Sequence, residues 1–222
     1  MFNKCILIPA RGGSKGIPRK NMHNLLGKPL IHHALKAALA SKINEVWVST
    51  DNDEISEYCH SVGAAILDRP DNISNDLSTD LEVFRHFIES VGEKFDYIVH
   101  VRATFPKISS DIIDFACEEF EREYSRIDSL RSVLPVSENP YKMWHVNADG
   151  FLETVVKDNT LHSSPRQLIR DAYMQNACID IIKTCTIVEK SSMIGDRCYP
   201  LFMEKGFNFD IDTVEDIIGK DW

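Results

Sequence analysis

Short apolar runs alternate with segments of helical spacing along the first 136 residues. The runs resemble buried strands, whereas the segments between them place apolar residues three and four positions apart, on one face of a helix. Alternation of this kind with short connections is typical of a mostly parallel sheet with helices on both faces, so we predict an α/β fold. The predicted strands are 5–9, 45–51, 64–67, 97–101 and 129–136, and the predicted helices are 29–40, 52–62, 81–91 and 109–124.

The alternation fails between residues 137 and 173. Turn-forming pairs such as Asn139-Pro140 and Asp149-Gly150 separate short stretches that resemble hairpin strands. We interpret this segment as a small β-rich arm that leaves the core and serves dimerisation. No repeat or low-complexity linker divides the chain, so residues 1–222 are predicted to form one domain. The core is predicted to resume with strands at 177–182, 199–203 and 207–212 and a helix from Thr213.

The charge balance narrows the possible partners. The chain has 25 Lys and Arg against 34 Asp and Glu, a net charge of −9. Since binding to a phosphate backbone needs a basic face, a nucleic-acid partner is disfavoured. Apolar residues make up 43% of the chain, and no run approaches the roughly 20 residues of a membrane helix. The N-terminus is too short in its apolar part for a signal peptide, so we expect a cytoplasmic protein with no membrane partner.

The six cysteines form no C-x-x-C pair. Most of them lie among apolar neighbours, which favours buried free thiols over zinc ligands or disulfides. Free thiols agree with a reducing compartment. They are Cys5, Cys59, Cys117, Cys178, Cys185 and Cys198.

The loop after the first predicted strand has the composition of a polyanion site. Glycines let backbone N–H groups approach phosphate oxygens, and its cations stand out against an acidic chain. The spacing fits neither G-x-x-x-x-G-K-[ST] nor G-x-G-x-x-G. Because open α/β sheets bind ligands at the carboxyl ends of their strands, phosphate binding is favoured over a turn with solvated cations. The loop carries Arg11, Gly12, Gly13, Ser14, Lys15, Gly16, Arg19 and Lys20.

Two carboxylates near the C-terminus are candidate metal ligands. Alternation along the strand predicted at 207–212 would put Asp210 and Asp212 on one face. The two charges would repel each other unless a cation lay between them, and Mg²⁺ favours one or two carboxylates together with phosphate oxygens. The alternative is that this segment only caps the last helix, with Thr213 and Asp216 in a capping box. Capping leaves Asp210 unexplained, so the metal interpretation is favoured.

Outside the loop, one cation is better placed than the others. Arg102 directly follows the apolar run at 97–101, at the strand end where ligands bind. Asp51 lies at another strand end, where capping of the following helix, in a box with Glu54, is the favoured role. The histidines have no nucleophile partner at a recognisable spacing and are assigned no catalysis. The remaining cations, each more commonly a surface or salt-bridge residue, are Arg69, Lys142, Arg166 and Arg170.

The segment from Ile8 to Asn21, Ile-Pro-Ala-Arg-Gly-Gly-Ser-Lys-Gly-Ile-Pro-Arg-Lys-Asn, resembles the opening motif of the acylneuraminate cytidylyltransferases. This family makes CMP-sialic acid and related CMP-nonulosonates. The opening and the Asp-Ile-Asp-Thr segment are the most specific parts of a resemblance that covers nearly the whole chain in order. Its other parts are Val48-Ser-Thr-Asp51, Arg69-Pro70, Asn75-Asp76, Pro165-Arg166-Gln167, Asn176 and Asp210-Ile-Asp212-Thr213.

The resemblance implies a Rossmann-like nucleotidyltransferase fold and a homodimer in which the arm of one subunit helps to close the sugar site of the other. It also implies Mg²⁺, for which Mn²⁺ can substitute, held by Asp210 and Asp212. The implied catalytic residues are Arg11, Lys15, Lys20, Asp210 and Asp212. The implied nucleotide-binding residues are Ala10, Arg11, Gly12, Gly13, Ser14, Lys15, Lys20, Asn21, Arg69 and Asp76. The implied sugar-binding residues are Arg102, Thr104, Lys142, Arg166, Gln167, Asn176 and Asp180.

The implied reaction transfers CMP from CTP to the anomeric hydroxyl of a sialic-acid-like nonulosonic acid and releases pyrophosphate, for the synthesis of a surface polysaccharide. Three segments depart from the family: its usual Ser-Asp of the nucleotide loop is Asn75-Asp76 here, and the other two departures lie on the sugar side. Its usual Gln-Pro-Thr-Ser-Pro is Arg102-Ala-Thr-Phe-Pro106 here, and its Asn-Gly-Ala-Ile-Tyr is Asn176-Ala-Cys-Ile-Asp180. Another acidic or phosphorylated acceptor, or another nucleotide, is therefore the alternative, with a non-catalytic nucleotide-binding protein as the third hypothesis.

Overall fold

Eleven strands and five α-helices lie in the part of the chain that the computed structural model describes, residues 2–157 and 160–218. The strands are β1 (Lys4–Pro9), β2 (Asn24–Leu25), β3 (Lys28–Pro29), β4 (Val46–Thr50), β5 (Ala65–Asp68), β6 (Tyr97–Val101), β7 (Ser129–Pro135), β8 (Trp144–Val146), β9 (Leu152–Thr154), β10 (Tyr173–Lys183) and β11 (Cys198–Phe202). The α-helices are α1 (Leu30–Leu39), α2 (Asp53–Val62), α3 (Asp80–Val91), α4 (Ser110–Glu123) and α5 (Thr184–Lys190).

Seven of the strands form the central sheet, in the order β11-β7-β10-β6-β1-β4-β5. The strands pair in parallel except β10, which lies antiparallel between β6 and β7. The sheet is therefore mostly parallel, as predicted. Its parallel strands end together at one edge, which is where the loops after β1, β4 and β6 meet.

The side chains of β1 alternate between two hydrophobic clusters, one on each face of the sheet. Ile6 and Ile8 pack in the cluster that also holds residues of α1, α2 and α4. Cys5 and Leu7 pack in the cluster that holds residues of α3 and α5. Helices cover both faces of the sheet, so both sets of side chains are fully buried. For this reason the sequence of β1 is apolar at successive positions instead of alternating with polar residues. The predicted helices on both faces are confirmed.

The arm predicted at 137–173 contains the expected hairpin, β8 paired antiparallel with β9. Many of the large apolar side chains of the arm are exposed. Phe151 is 70% exposed and Leu152 is 64% exposed. The other large apolar side chains that the arm and the adjoining start of β10 leave exposed are Met143, Trp144, Val146, Val155, Leu168, Tyr173 and Met174.

Two predictions near the C-terminus are wrong. Residues 207–212 are not a strand, and the helix expected from Thr213 is a single 3₁₀ turn, Val214–Asp216, before the described residues end at 218. Phe207 and Phe209 pack around the ring of Phe105, with centroids 5.6 and 6.4 Å away. That packing holds the segment against the loop after β6 instead of along a neighbouring strand. The alternative capping box of Thr213 with Asp216 is confirmed.

A third correction concerns α2. The side chain that caps this helix belongs to Asn52, whose Oδ1 accepts from the N–H of Ile55 at 3.1 Å. The capping box expected from Asp51 and Glu54 is therefore wrong, and the Asp51 side chain is free for another contact.

Four of the six cysteines are buried free thiols as predicted, whereas Cys185 and Cys198 are exposed. Among the described residues, no helix has the length and apolar character needed to cross a bilayer.

Candidate functional site

A cavity opens at the sheet edge where β1 and β6 end. The loop after β1 forms one wall, the segment before α3 forms the second, and the loop after β6 forms the third. The cavity is lined by Pro9, Arg11, Gly13, Ser14, Lys20, Asn21, Arg69, Asn75, Ser78, Thr79, Asp80, Val83, His100, Arg102, Ala103 and Thr104. Since this is the ligand edge of an open parallel sheet, the cavity is the candidate functional site.

The glycine-rich loop is held in place by three contacts, and the contact at Gly16 needs glycine. The N–H of Gly12 donates to Oδ1 of Asp51 at 2.8 Å, which is the role that Asp51 has instead of capping α2. A Cβ added at Gly16 would overlap the carbonyl oxygen of Asp212. Asn21 closes the loop by donating from Nδ2 to the carbonyl oxygen of Arg11 at 2.9 Å. The loop therefore lies directly on the segment that carries the two predicted metal ligands.

Three of the loop cations make ion pairs with carboxylates at the cavity mouth. Asp76 bridges Arg11 and Lys15, with N–O distances of 2.8 Å to both. The hydrogen bond from Lys15, assisted by that from Arg11, lowers the pKa of Asp76 although partial desolvation opposes the shift. Lys20 pairs with Asp212 at 2.8 Å and also donates to the carbonyl oxygen of Ile211 at 3.0 Å. The loop thus brings three cations to the cavity mouth, where two carboxylates largely balance their charge.

Asp210 and Asp212 occupy different environments, contrary to the single strand face that was predicted. Oδ1 of Asp210 accepts a hydrogen bond from Oγ1 of Thr104 at 2.6 Å, in a half-buried position. Burial raises the pKa of Asp210, and the nearby charge of Asp212 adds to this, although the Thr104 hydrogen bond opposes it. Asp212 is 74% exposed in its side chain and faces Lys20. Both carboxylates nevertheless lie beside residues that line the cavity.

Arg69 is a buried cation in the cavity wall. It donates from Nη2 to the carbonyl oxygen of Ser49 at 2.7 Å and from Nε to the hydroxyl of the same residue at 3.1 Å. Burial lowers its pKa to about 10, so the side chain remains charged at neutral pH. Arg69 therefore joins the end of β4 to the cavity, on the side where the resemblance put the nucleotide.

Arg102, on the third wall, belongs to a charged cluster with two members that the sequence did not single out. Arg102 pairs with Asp80 and with Asp180, each at 3.3 Å. Asp180 is buried in β10 and also pairs with Arg131 of β7 at 2.7 Å. Sequence reasoning missed Asp80 and Arg131. The single charged residue in the strand predicted at 129–136 was the available signal for Arg131.

The predicted sugar-binding residues of the arm do not reach this cavity. Lys142 and Arg166 line a separate recess with Ser137, where Arg166 donates to the carbonyl oxygen of Ser137. Gln167 is exposed beside them. Asn176 is buried and supports the 207–212 segment by donating to the carbonyl oxygen of Phe207 at 3.0 Å. Among the described residues, Arg102 and Thr104 are the only two of the seven predicted sugar-binding residues that line the cavity.

A doubly covered parallel sheet with a cationic glycine-rich loop and two carboxylates at its carboxyl edge is the arrangement of a nucleotide-binding α/β enzyme. The comparison with known families makes this class more specific. The cytidylyltransferase family profile matches residues 5–186. The chain belongs to the cytidylyltransferase family, and the resemblance noted in the sequence is confirmed.

Named relatives agree with this family. The pseudaminic acid cytidylyltransferase of Campylobacter jejuni is 31% identical over 98% of this chain and 94% of its own length. The N-acylneuraminate cytidylyltransferase of Streptococcus agalactiae is 29% identical over 96% of this chain but only 51% of its own length. The chain thus spans about half the length of some of the curated relatives that it matches.

The fold has a close counterpart among solved structures. The CMP:2-keto-3-deoxy-manno-octonic acid synthetase complexed with CTP superposes with a TM-score of 0.71 over 96% of this chain and 94% of that one. The sequences are only 16% identical, so this likeness concerns the fold. It supports a Rossmann-like nucleotidyltransferase fold for the chain.

The contact between the loop and Asp212 predicts a steric effect of Gly16→Ala. The new Cβ would overlap a backbone oxygen that cannot rotate away, so the loop and the 207–212 segment must separate. We expect a loss of about 1–3 kcal/mol in the free energy of unfolding, the usual cost of overpacking. Urea denaturation followed by circular dichroism measures this loss.

Gly13→Ala is the matched control because a Cβ at Gly13 has no atom within 4 Å and its φ is not positive. Its unfolding free energy should stay within about 0.5 kcal/mol of the native value. Equal stabilities of the two variants would show that the loop does not rest on Asp212.

The raised pKa of Asp210 predicts that Asp210→Asn stabilises the protein at neutral pH. The unfolded chain ionises this carboxyl more readily than the folded one does, so native stability falls as pH rises through the folded pKa. The amide removes that loss and can still accept from Thr104. The advantage of the variant should therefore be largest near pH 7 and lose its pH dependence below the unfolded value of about 3.9. Thermal unfolding with a chelator present, from pH 3 to pH 7, measures it.

Asp128→Asn is a control of opposite sign. Burial raises the pKa of Asp128, but the hydrogen bonds from Lys190 and from the N–H groups of Asp196 and Arg197 outweigh burial and lower it. That substitution should destabilise the protein at pH 7. If both variants shift the unfolding temperature in the same direction, the burial argument for Asp210 is wrong.

Proposed function

We propose that the protein transfers CMP from CTP to the anomeric hydroxyl of a sialic-acid-like nonulosonic acid and releases pyrophosphate. The observation that carries this proposal is the meeting of the cationic loop with Asp210 and Asp212 at one cavity, through the contacts of Gly16 and Lys20 with Asp212. The names of the relatives support the acceptor class, since one is named for N-acylneuraminate and another for pseudaminic acid.

The nucleotide would occupy the side of the cavity formed by the loop. Arg11, Gly13, Ser14 and Lys20 line it, a combination of cations and glycine-rich backbone that suits the oxygens of a triphosphate. Lys15 and Asp76 lie at the mouth of the same wall. A triphosphate would compete with Asp76 for the two cations that this carboxylate now bridges. Asn21 and Arg69 also line the cavity, and Ala10 and Gly12 would shape its wall from behind.

Asp210 and Asp212 are the residues that would hold Mg²⁺, with Mn²⁺ as a substitute. Their fit to a divalent cation rests on Asp210, a half-buried carboxylate whose burial and like-charged neighbour both disfavour its ionised form. A cation beside it would reverse that penalty. When bound, the ion would neutralise charge on the phosphates during transfer.

The reaction needs positioning and charge more than a protein nucleophile. The oxygen of the anomeric hydroxyl would form a bond to the α-phosphorus while the bond from that phosphorus to the bridging oxygen of the β-phosphate breaks. The hydroxyl proton would pass to solvent, and pyrophosphate would leave. Arg11, Lys15 and Lys20 would stabilise the charge that develops on the phosphates.

Arg102 and Thr104 would face the acid on the third wall of the cavity. Lys142, Arg166 and Gln167 lie in the arm, away from the cavity of their own subunit, so we propose that they act in the cavity of a partner in a homodimer. The exposed apolar side chains of the arm support such an interface, because soluble proteins rarely leave large apolar patches uncovered. The enzyme would act in the cytoplasm, without nucleic-acid or membrane partners. Its product would serve the synthesis of a surface polysaccharide.

Pyrophosphate release tests the activity. The purified chain should release pyrophosphate with CTP, Mg²⁺ and a nonulosonic acid, and much less with ATP, GTP or UTP. Asp210→Ala should abolish release but leave CTP binding, measured by calorimetry, largely unchanged. Turnover of sugar phosphates in place of the acids would favour the alternative acceptor class. No turnover with any pair would favour a nucleotide-binding protein.

The homodimer predicts that Phe151→Asp yields monomers. Sedimentation velocity should give a dimer for the native chain and a monomer for the variant, because a buried charge at an interface is unpaired. The monomer should bind CTP but turn over the acid poorly. Phe115→Asp, at an apolar residue of α4 that is 53% exposed outside the arm, is the control and should remain dimeric. A native monomer with full turnover would contradict the shared site.

A further inference from the structure

We infer that Asp180 is a positioning residue that fixes the guanidinium of Arg102 against the acceptor, with Arg131 as its anchor. This inference rests on the proposed function, because it takes Arg102 as the residue that meets the acid. It assigns Asp180 a role behind the wall of the cavity instead of the direct sugar contact that the sequence resemblance implied.

The sheet brings the three groups together. Asp180 of β10 lies opposite His100 of β6 in one register and opposite Arg131 of β7 in the other. Residues opposite each other on paired strands project to the same face. Arg102 follows β6 directly, so its side chain can reach across the end of the sheet to Asp180. The carboxylate is thus placed by the backbone of three strands.

The contacts of Asp180 divide between the two arginines. Its Oδ1 accepts from Nε of Arg131 at 2.7 Å, and its Oδ2 accepts from Nη2 of Arg102 at 3.3 Å and from Nη2 of Arg131 at 3.4 Å. Arg131 therefore holds the carboxylate through a forked pair of donors, and the carboxylate holds Arg102. Asp180 is 4% exposed and does not line the cavity, whereas Arg102 does.

Arg102 is held from two sides. Its Nη1 donates to Asp80 and its Nη2 donates to Asp180, both at 3.3 Å. A guanidinium has five N–H donors in one plane, so these two contacts fix the plane and leave other donors for a ligand. A carboxylate ligand is the natural complement of a fixed guanidinium, because it can accept two parallel hydrogen bonds.

The charges of the cluster balance. Asp80 and Asp180 offset Arg102 and Arg131, and His100 stays neutral because burial, helped by the charge of Arg102, lowers its pKa to about 4. An added carboxylate therefore meets a wall of no net charge. What favours an acid there is the orientation of Arg102, which is the property that Asp180 supplies.

The test compares Asp180→Asn with the native chain in pyrophosphate release, titrating the acid at saturating CTP and CTP at saturating acid. The acceptor KM should rise about tenfold or more, while kcat and the CTP KM stay within about twofold. Arg102→Gln should give the same selective rise. In the double variant, the rise should not exceed that of Arg102→Gln alone, because Asp180 acts through Arg102.

Arg131→Lys keeps the charge but loses the fork, and it should raise the acceptor KM in the same direction by a smaller factor. It keeps the inference testable where Asp180→Asn fails to fold. Asp128→Asn is the matched control, since it removes an aspartate that pairs with Lys190 just before β7 begins and should leave the acceptor KM unchanged.

The outcomes separate the two proposals. If the native chain turns over but the effects of the two substitutions multiply in the double variant, the role of Asp180 is wrong and the proposed function stands. The same holds if Asp180→Asn raises the acceptor KM and the CTP KM equally. No turnover by the native chain with any nonulosonic acid would overturn the proposed function and this inference together.

Discussion

The structure depends on a backbone contact between the two ends of the chain. The loop at Gly16 lies so close to the carbonyl oxygen of Asp212 that no side chain fits between them, and Lys20 adds an ion pair across the same junction. The loop follows β1, which lies inside the sheet between β6 and β4, whereas the Asp210–Asp212 segment follows β11. Only when the whole sheet has formed can the cations and the carboxylates face one cavity.

A second constraint is that the cavity holds charges that must be balanced before any ligand binds. Asp76 bridges Arg11 and Lys15, and Asp212 pairs with Lys20. Such pairs near solvent are individually weak, so a ligand of higher charge can displace them at modest cost. Asp210 is the exception, because its burial and the charge of Asp212 disfavour its ionised form. The site is thus nearly neutral as a whole and has a local deficit of positive charge at one carboxylate.

The sequence predicted the parts of this arrangement that have a strong local pattern. The buried strands, the helices and the cationic loop follow from apolar periodicity and composition, and most of their boundaries agree within two residues. The strand predicted at 207–212 failed because its apolar alternation reflects Phe207 and Phe209 packing around Phe105, a contact that alternation cannot distinguish from a sheet face. Asp51 was misassigned for a similar reason. Its partner is the N–H of Gly12, which is 39 residues away and leaves no local signal.

The acceptor side could be recognised in part but not assembled from the sequence. Arg102 stood out by its place after the apolar run at 97–101 and as a departure from the family pattern, whereas Asp180 stood out only as a departure. Each was treated as a separate contact. Their pairing depends on an irregularity in β10, where the register against β7 shifts between Gln175 and Asp180 and Ala177 takes a positive φ of 57°. The acylneuraminate cytidylyltransferases commonly have glycine at the position of Ala177, and glycine adopts the left-handed conformation at a lower cost than alanine. Retention of the conformation by alanine indicates that the shift is imposed by the pairing of β10 with β6 and β7, since that pairing sets Asp180 between His100 and Arg131. The acceptor contacts of this chain therefore depend on the register of β10 as well as on the residues that line the cavity.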